Sequence, residues 1–274
     1  MFFIYLLTKM ENYFNNYDNF TKKVVYKFTI GNGGVGDYVK YFMCLLNMCM
    51  KYNIKMYYLV ENNVVDRFIK LKHPQMYIKS EELVNVQYLD NIDHLTSINE
   101  HHFYIVEAFN MYKFHSVLYD SITQKVSDYF YFIDEIKINA LNQNLSENYI
   151  SIHLRLGDKF LETDKANVLV KDDVRHFNED ALFDFIEKNS DKNILFFCDN
   201  YEYKQKIKNK YDFVYITDFK IGHTSLSSTT VEEAFNGITE FYILTNSTEI
   251  YTPTESGFSI VASKFNQVPF FFIK

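Results

Sequence analysis

The stretch VVYKFTIGNGGVGD, residues 24–37, decides the fold. Its first part, Val24–Ile30, is mostly β-branched or aromatic, which predicts a strand. The glycine-rich part, Gly31–Gly36, predicts a loop that turns tightly. Asp37 suits the N-cap of a helix over Tyr38–Tyr52, where apolar residues recur at helical spacing. Strand, glycine loop and helix in this order indicate a parallel sheet with crossover helices.

The same pattern continues on both sides of the polar stretch Asn139–Asn148, which is the best candidate for a linker. In the first half, we expect strands at Ile54–Val60, Val84–Leu89 and Phe103–Val106, and a helix at Val117–Phe130. In the second half, the predicted strands are Tyr149–Leu154, Asn193–Cys198, Phe213–Ile216, Glu249–Tyr251 and Pro269–Ile273, and the predicted helices are Asn178–Asn189, Tyr201–Lys210, Val231–Leu244 and Ser256–Phe265. The chain is therefore expected to be α/β, with two βαβ-type halves that divide near residue 140.

Composition excludes several classes of protein. Of 274 residues, 47% are hydrophobic and 23% charged, which is a globular composition and not that of a disordered chain. The net charge of −7 disfavours a general nucleic-acid binder. The first ten residues, MFFIYLLTKM, lack the basic start and cleavage site of a signal peptide, and no apolar run could span a bilayer. We therefore expect a cytoplasmic protein whose three cysteines are buried thiols.

The rarity of glycine and arginine makes their positions informative. The chain has eight glycines, of which six fall at three places, and its only arginines are Arg67, Arg155 and Arg175. The first place is the loop Gly31-Asn32-Gly33-Gly34-Val35-Gly36, which fits G-x-G-x-x-G, with Glu61 near the position of a ribose-binding acid. The loop could also be a turn without a ligand. A kinase-type phosphate loop is excluded because no Gly-Lys-Ser/Thr follows.

The second place is His153-Leu154-Arg155-Leu156-Gly157-Asp158, at the exit of a predicted strand. Ligands of open α/β sheets bind at the carboxyl ends of strands, where an arginine can pair with a phosphate or a carboxylate. Alternation along the strand places His153 and Arg155 on one face. The alternative is a structural ion pair between Arg155 and a nearby carboxylate, which the scarcity of arginine makes the less favoured interpretation.

The third place is Thr254-Glu255-Ser256-Gly257-Phe258-Ser259, at the start of a predicted helix. Ser256 and the free N–H groups of a helix start can bind an anion, although ordinary N-capping by Ser256 explains the same pattern.

These three places, in this order along the chain, resemble the GDP-fucose fucosyltransferase superfamily, which includes the α1,2-, α1,6- and protein O-fucosyltransferases. The resemblance spans about residues 28 to 265 and includes the stretch Glu240–Ser247 before Ser256–Ser259. It implies a GT-B fold, in which two Rossmann-like domains face each other across a cleft. The acceptor side would be residues 21–140 and the nucleotide-sugar donor side residues 141–274, behind a flexible lead-in at 1–20.

The resemblance also implies roles for individual residues. Arg155 would hold the β-phosphate of the donor, and His153 would help to place the nucleotide. The donor-binding set that it implies is His153, Arg155, Gly157, Asp199, Ser256, Gly257, Phe258 and Ser259. Two residues depart from the family's pattern: Asp37 stands where the family loop has asparagine, and Gly257 stands where it has a hydroxyl residue.

The chemistry of such a site follows from its charges. As the diphosphate leaves a nucleotide sugar, negative charge grows on its oxygens, and fixed cationic donors stabilise that transition state. No Asp-x-Asp occurs in the chain, which argues against a metal-chelated donor, so we expect no cofactor and no metal. Attack on the anomeric carbon with inversion needs a base for the acceptor hydroxyl, for which Asp37 is the first candidate and Asp158 the second.

The leading hypothesis is thus an inverting fucosyltransferase whose partners are a GDP-sugar donor and a glycan or glycoconjugate acceptor. Three others stay open. The first is an NAD-binding Rossmann oxidoreductase that uses Gly31–Gly36 and Glu61. The second is a heptosyltransferase-like GT-B enzyme with an ADP-sugar, suggested by the V-G-D-Y motif after the first strand. The third is a glycosyltransferase-like fold that serves only as a binding module.

Overall fold

The computed structural model describes residues 10–59, 61, 63–111, 122–161 and 172–274. Its strands are β1 (Lys23–Lys27), β2 (Lys55–Leu59), β3 (Ile69–Leu71), β4 (Tyr77–Ile78), β5 (Val86–Tyr88), β6 (Phe103–Glu107), β7 (Phe130–Phe132), β8 (Ile150–Leu154), β9 (Ile194–Cys198), β10 (Val214–Ile216), β11 (Glu249–Thr252) and β12 (Phe270–Phe272). Its longer helices are α1 (Val35–Tyr52), α2 (Asp134–Leu141), α3 (Glu179–Lys188), α4 (Tyr201–Lys210), α5 (Val231–Thr245) and α6 (Gly257–Asn266).

Two five-stranded parallel sheets form the framework, one in each half of the chain. The first has the order β4-β2-β1-β6-β5 and the second the order β10-β9-β8-β11-β12. Every residue of β8 and β9 is buried, as expected for parallel strands that helices cover on both faces. In each sheet the first strand is central, and the later strands add first on one side of it and then on the other. Such a switch point opens a crevice at the carboxyl ends of the strands.

The predicted α/β organisation matches these elements closely, and the strands and helices predicted for the second half differ from the observed ones by at most one residue at each end. Three predictions in the first half are wrong. Helix α1 begins at Val35 with Gly34 as its N-cap, so Asp37 lies in the first turn instead of capping the helix. The polar stretch predicted as a linker begins inside α2, which ends at Leu141.

The helix predicted at Val117–Phe130 is the third error. Its part at residues 112–121 lies outside the described residues. The rest contains a short 3₁₀ helix at Val126–Asp128, and Phe130 begins β7, which pairs with β3 in an antiparallel ribbon. The apolar run Phe130–Phe132 that forms β7 is too short for its periodicity to distinguish a buried strand from a helix.

The lead-in that we expected to be flexible is folded in its described part. Residues 10–15 are helical, and Tyr13 and Tyr17 are buried. The Tyr13 hydroxyl donates to the carbonyl of Ile54 at 2.7 Å, and the Tyr17 hydroxyl donates to the carbonyl of Met56. Aromatic rings therefore attach this segment to the start of β2, which its polar composition did not indicate.

The largest hydrophobic cluster of the described residues contains side chains of both halves. Phe132 of β7 lies between helices of the second half, with ring centroids 4.8 Å from Phe265 and 6.1 Å from Phe241. Phe68 packs on Phe235 in the same way, at 5.5 Å. Apolar contacts of this kind pack the ribbon and the short helix before it against helices of the second half. The division at residue 140 stays a prediction.

Two smaller predictions can be compared with the structure. The three cysteines are free and buried, as expected. None of the helices in the described residues is both long enough and apolar enough to cross a membrane.

Candidate functional site

Arg155 leaves the carboxyl end of β8 and lies between two carboxylates. Its guanidinium pairs with Asp158, and its Nη1 lies 3.1 Å from Oδ2 of Asp199, which follows β9. The Arg155 side chain is 15% exposed and that of Asp199 only 3%. The strand order places these residues side by side, because β8 and β9 are neighbours and both end at this edge.

Asp199 fixes the turn that carries Arg155. Its two carboxylate oxygens accept the N–H groups of Leu156 and Gly157, at 2.8 and 3.1 Å. Gly157 has φ +108°, and a Cβ there would lie 2.4 Å from the carbonyl oxygen of Asp173. This turn therefore requires glycine, both for its backbone conformation and for its close contact with the segment after residue 171. The backbone N–H groups and Arg155 already bind the carboxylate of Asp199. Its predicted contact with a nucleoside stays a prediction.

The end of β11 holds the other side of Arg155. Thr254 Oγ1 accepts the Arg155 N–H at 3.0 Å and donates to its carbonyl at 3.1 Å. Thr252 Oγ1 donates to the carbonyl of His153 at 2.8 Å. Arg155 thus lies at the switch point of the second sheet. Thr254, after β11, binds its backbone, and Asp199, after β9, binds the backbone of the next two residues.

His153 is buried in β8, two residues before Arg155. Its ring stacks on that of Phe258, with centroids 5.1 Å apart, and its Nδ1 has no hydrogen-bond partner among the described residues. Burial, together with the positive charge of Arg155, lowers the pKa of His153 to about 3. The imidazole is therefore neutral at physiological pH and can offer one nitrogen as an acceptor.

Two helix N-termini meet beside this cluster. Helix α1 starts after Gly34 and helix α6 after Ser256, and a Cβ on Gly36 would lie 2.7 Å from the carbonyl of Gly257. The Ser256 side chain makes no capping hydrogen bond, so ordinary N-capping does not explain it. Ser259 is fully buried and donates to the carbonyl of Ser256 at 3.3 Å, which is a contact within its own helix. The first and third predicted places are thus in direct contact.

The glycine loop is covered by a segment of the second half that the sequence analysis did not single out. The N–H of Gly31 donates to the carbonyl of Ser225 at 3.0 Å. A Cβ on Gly34 would lie 3.3 Å from His223 Cε1 and 3.5 Å from Thr224 Oγ1. Asn32 turns inward, and its Nδ2 donates to Thr29 Oγ1 at 3.0 Å. These glycines permit close approach of protein backbone and side chains at the junction of the halves.

His223 itself belongs to the cluster. Its Nδ1 lies 2.8 Å from Ser225 Oγ, and burial together with the charge of Arg155 lowers its pKa. The signal that could have found it is compositional: His223 follows Gly222, one of only eight glycines, and precedes a run of Ser and Thr. Hydrophobic periodicity identifies helices and strands, so it does not single out a loop residue such as His223.

Asp37 has a different environment from the one that its predicted role requires. Its carboxylate folds back over Gly33, where a Cβ would lie 2.3 Å from Oδ2, and Oδ1 accepts the buried ammonium of Lys40 at 2.7 Å. The charged segment after residue 171 contacts the same region, although the Arg175 side chain is 42% exposed. Arg175 pairs with Asp173 at 2.8 Å and donates to the carbonyl of Glu255 at 3.2 Å.

Glu61 also has a partner. Lys27, at the end of β1, lies 3.5 Å from Glu61 and 3.4 Å from Glu107. Burial works against the charge of Lys27, but the two carboxylates outweigh it and raise its pKa. A shared ammonium satisfies Glu61, which leaves it poorly suited to accept hydroxyls of a ribose.

A cavity of about 900 Å³ opens between the halves, next to the segment that covers the glycine loop. It is lined from both halves by Thr29, Ile30, Glu61, Asn63, Val64, Asp66, Arg67, Lys70, Thr224, Leu226, Ser227, Thr229 and Val231. Arg155 is not among these residues. Thr224 lines the cavity, and burial together with the charge of Arg155 lowers the pKa of the adjacent His223. This segment therefore lies between the cavity and the Arg155 cluster.

The described residues contain no group of three His, Cys, Asp or Glu side chains that could hold a metal ion. Arg155, His153 and the two helix starts are instead groups that suit an anion.

Comparison with known proteins gives no match to a family model and no match among curated sequences. Solved structures do match. A mutant of Arabidopsis thaliana FUT1 in complex with GDP has a TM-score of 0.57 at 11% identity, over 92% of this chain and 70% of that one. NodZ α-1,6-fucosyltransferase soaked with GDP-fucose has a TM-score of 0.56 at 9% identity, over 89% of this chain and 92% of that one.

POFUT1 in complex with GDP matches with a TM-score of 0.53 at 10% identity, over 92% of this chain and 99% of that one. The chain has a fucosyltransferase-like GT-B fold. The predictions of fold class and structural resemblance are thereby confirmed. At such low identity the likeness extends to the fold alone, so the roles of Arg155 and the other site residues stay predictions.

Proposed function

We propose that this protein is an inverting, metal-independent glycosyltransferase that moves fucose from GDP-fucose to a hydroxyl of a glycan acceptor. The observation that carries the proposal is the position of Arg155 at the carboxyl edge of the second sheet, where Thr254, three residues before α6, binds its backbone and the start of α6 contacts that of α1. It occurs in a fold shared with fucosyltransferases whose structures hold GDP or GDP-fucose. Residues 141–274 would bind the donor and residues 21–140 the acceptor.

Electrostatics support this assignment. Each helix start carries roughly half a positive charge and unpaired N–H groups, and the guanidinium of Arg155 adds a full charge with paired donors. A diphosphate gains negative charge as the glycosidic bond breaks, so donors already fixed in place stabilise the transition state more than the bound substrate. The neutral imidazole of His153, with its unpartnered Nδ1, would help to place the nucleotide.

Donor binding would require Arg155 to exchange partners. Asp199 is committed to the backbone N–H groups of residues 156 and 157, whereas Asp158 depends mainly on Arg155. The diphosphate would therefore replace Asp158 at the guanidinium. Burial, against the opposing effect of Arg155, raises the pKa of Asp158, and a carboxylate released next to the phosphate could accept the proton of the acceptor hydroxyl. This favours Asp158 over Asp37, which already binds Lys40.

The test uses nucleotides first. GDP is expected to raise the melting temperature more than ADP or NADH at equal concentration. A larger shift with NADH would favour the oxidoreductase, and one with ADP the heptosyltransferase-like enzyme. If GDP binds but no donor sugar in a mass-spectrometric panel is hydrolysed or transferred, the chain is a binding module. Activity is expected to persist in EDTA, and its loss there with recovery on added Mg²⁺ or Mn²⁺ would contradict a metal-independent site.

Variants of Arg155 then test the residue that carries the proposal. Arg155→Ala is expected to remove the GDP shift and at least about 100-fold of transfer, the usual size of a lost electrostatic donor. Arg155→Lys keeps a charge beside Asp199 but loses the paired geometry, so it should fold normally and still lose most activity. Full transfer activity in the lysine variant together with an undiminished GDP shift in the alanine variant would refute the assignment.

A further inference from the structure

Two residues that line the cavity of about 900 Å³ each have a buried polar atom without a hydrogen-bond partner among the described residues. Asp66 is 7% exposed, and its Oδ1 accepts the hydroxyl groups of Tyr38 and Tyr58, while its Oδ2 has no partner among the described residues. Asn63 is 5% exposed and its Nδ2 likewise has no partner. Leaving a buried donor or acceptor unpaired costs free energy, so two of them at one cavity need an explanation.

Local structure holds these two side chains in place. Asn63 Oδ1 accepts the N–H of Val65 at 2.8 Å and so caps the short 3₁₀ helix Val64–Arg67 that contains Asp66. The tyrosine hydroxyls fix the carboxylate from the opposite side. Burial raises the pKa of Asp66 to about 6, against the effect of both tyrosines. The cavity is therefore lined by a fixed carboxylate and a fixed amide, each with one hydrogen-bonding group unused.

The remaining lining has the composition of a carbohydrate site. Apolar side chains at Ile30, Val64 and Leu226 can pack against the C–H face of a sugar ring, while Thr224 and Thr229 add hydroxyl groups. A carboxylate oxygen accepts a sugar hydroxyl, and an amide N–H₂ donates to the oxygen of another. Arg67 and Lys70 offset the charges of Glu61 and Asp66 in the lining, so the cavity has no excess charge of either sign, which suits a neutral ligand.

We propose that this cavity binds a neutral saccharide through Asn63 and Asp66, and that this saccharide is the acceptor end of the glycan. The second clause rests on the proposed function. The cavity lies between residues 29–70 of the first half and a second-half segment that begins at Thr224. The preceding residue, His223, is close enough to Arg155 for that charge to add to the effect of burial in lowering its pKa. Thr224 lines the cavity and lies against Gly34, so a saccharide held there would lie beside the glycine loop whose helix contacts the start of α6.

Asn63→Asp is the decisive variant. It keeps an oxygen to cap Val65, since aspartate caps as well as asparagine, but it removes the amide donor. Asn91→Asp is the matched control. Asn91 also caps a short 3₁₀ helix, accepting the N–H of Asp93 at 2.9 Å, and it lies outside the cavity.

The binding measurement is saturation-transfer NMR and calorimetry on the full chain with GDP present, using lactose, cellobiose, maltose and chitobiose. At least one disaccharide is expected to bind, and Asn63→Asp is expected to weaken it at least about 10-fold, while Asn91→Asp leaves it unchanged. The proposal is overturned if no disaccharide binds or if Asn63→Asp binds like the wild type, as when a water or a mutual contact satisfies both groups.

The two proposals fail separately. GDP without effect on the melting temperature would remove the proposed function, yet saccharide binding and its loss in Asn63→Asp would still be measurable. With a GDP shift present, equal acceptor KM values for wild type and Asn63→Asp would overturn the acceptor assignment alone.

Discussion

Gly36 lies against the carbonyl of Gly257, so closely that a Cβ on Gly36 would come within 2.7 Å of that carbonyl. This contact joins the starts of α1 and α6, one from each half of the chain. It is made by backbone on both sides, so neither partner can move aside as a flexible side chain could. The distance between the two helix starts, and with it any anion site between them, therefore depends on the absence of a side chain at position 36.

Gly36→Ala is expected to separate the two helix starts. The clash with backbone should lower the free energy of unfolding by about 1–3 kcal/mol, the usual range for overpacking, and should reduce the GDP-induced shift in melting temperature. Gly237→Ala is the matched control, since Gly237 is also helical but a Cβ there meets nothing closer than 3.6 Å. It should stabilise the protein by about 0.5–1 kcal/mol through helix propensity. Equal effects of the two variants in urea unfolding would contradict this account.

Asp158→Asn should separate donor binding from transfer. In the structure Asp158 competes for the guanidinium of Arg155, and the amide removes that competing charge. GDP affinity, measured by calorimetry, is therefore expected to rise several-fold, roughly the range of an ion pair of low exposure. Transfer should fall, because the amide cannot accept a proton. Weaker GDP binding in this variant would mean that Asp158 positions Arg155 and does not compete with the diphosphate.

The lowered pKa of His153 predicts that acid decreases the free energy of unfolding. Its pKa in the folded protein is about 3, below the ordinary value of 6.5, so between these values the unfolded chain binds the additional proton. The free energy of unfolding should thus fall as the pH falls from about 6.5, with a slope of up to about 1.4 kcal/mol per pH unit from this group. His153→Phe keeps a ring on Phe258 and removes the proton site. Urea unfolding between pH 6.5 and 4.5 should show a shallower slope for the variant, and identical slopes would contradict the prediction.

The raised pKa of Asp66 predicts the opposite effect of pH on the free energy of unfolding. Its pKa in the folded protein is raised to about 6, so the folded protein binds the additional proton as the pH falls below neutrality, and the ionised carboxylate opposes folding above that. Asp66→Asn retains an oxygen for Tyr38 and Tyr58. It should raise the free energy of unfolding at pH 7.5 by roughly 2 kcal/mol, an advantage that shrinks towards pH 4. A less stable variant at pH 7.5 would show that the carboxylate contributes more than its burial costs.

These last two predictions share one physical cause. Both side chains have a buried polar atom without a partner among the described residues, and proteins retain such groups at binding sites at some cost in stability. A more stable Asp66→Asn protein that no longer binds saccharide would be the expected pattern for a functional residue.

The sequence by itself determined the α/β framework and the three places where ligand chemistry could occur. Strand residues such as Ile150–Leu154 and Ile194–Cys198 carry a local signal, because buried parallel strands are continuous apolar runs. Gly31, Gly33 and Gly157 adopt positive φ, a conformation that few other residues tolerate, so their positions marked true turns. Arg155 stood out by scarcity alone.

Only the tertiary structure decided which groups lie together. The partners of Arg155 come from three separate strand ends, and His223, Asn63 and Asp66 lie in segments with no periodic pattern. The N-cap of α1 was predicted at Asp37, three residues after the observed one at Gly34, because a capping side chain is only a local signal and does not fix where a helix begins. Local signals set the elements, whereas burial and pairing across 40 to 100 residues of chain set the chemistry, and no single-sequence pattern encodes those distances.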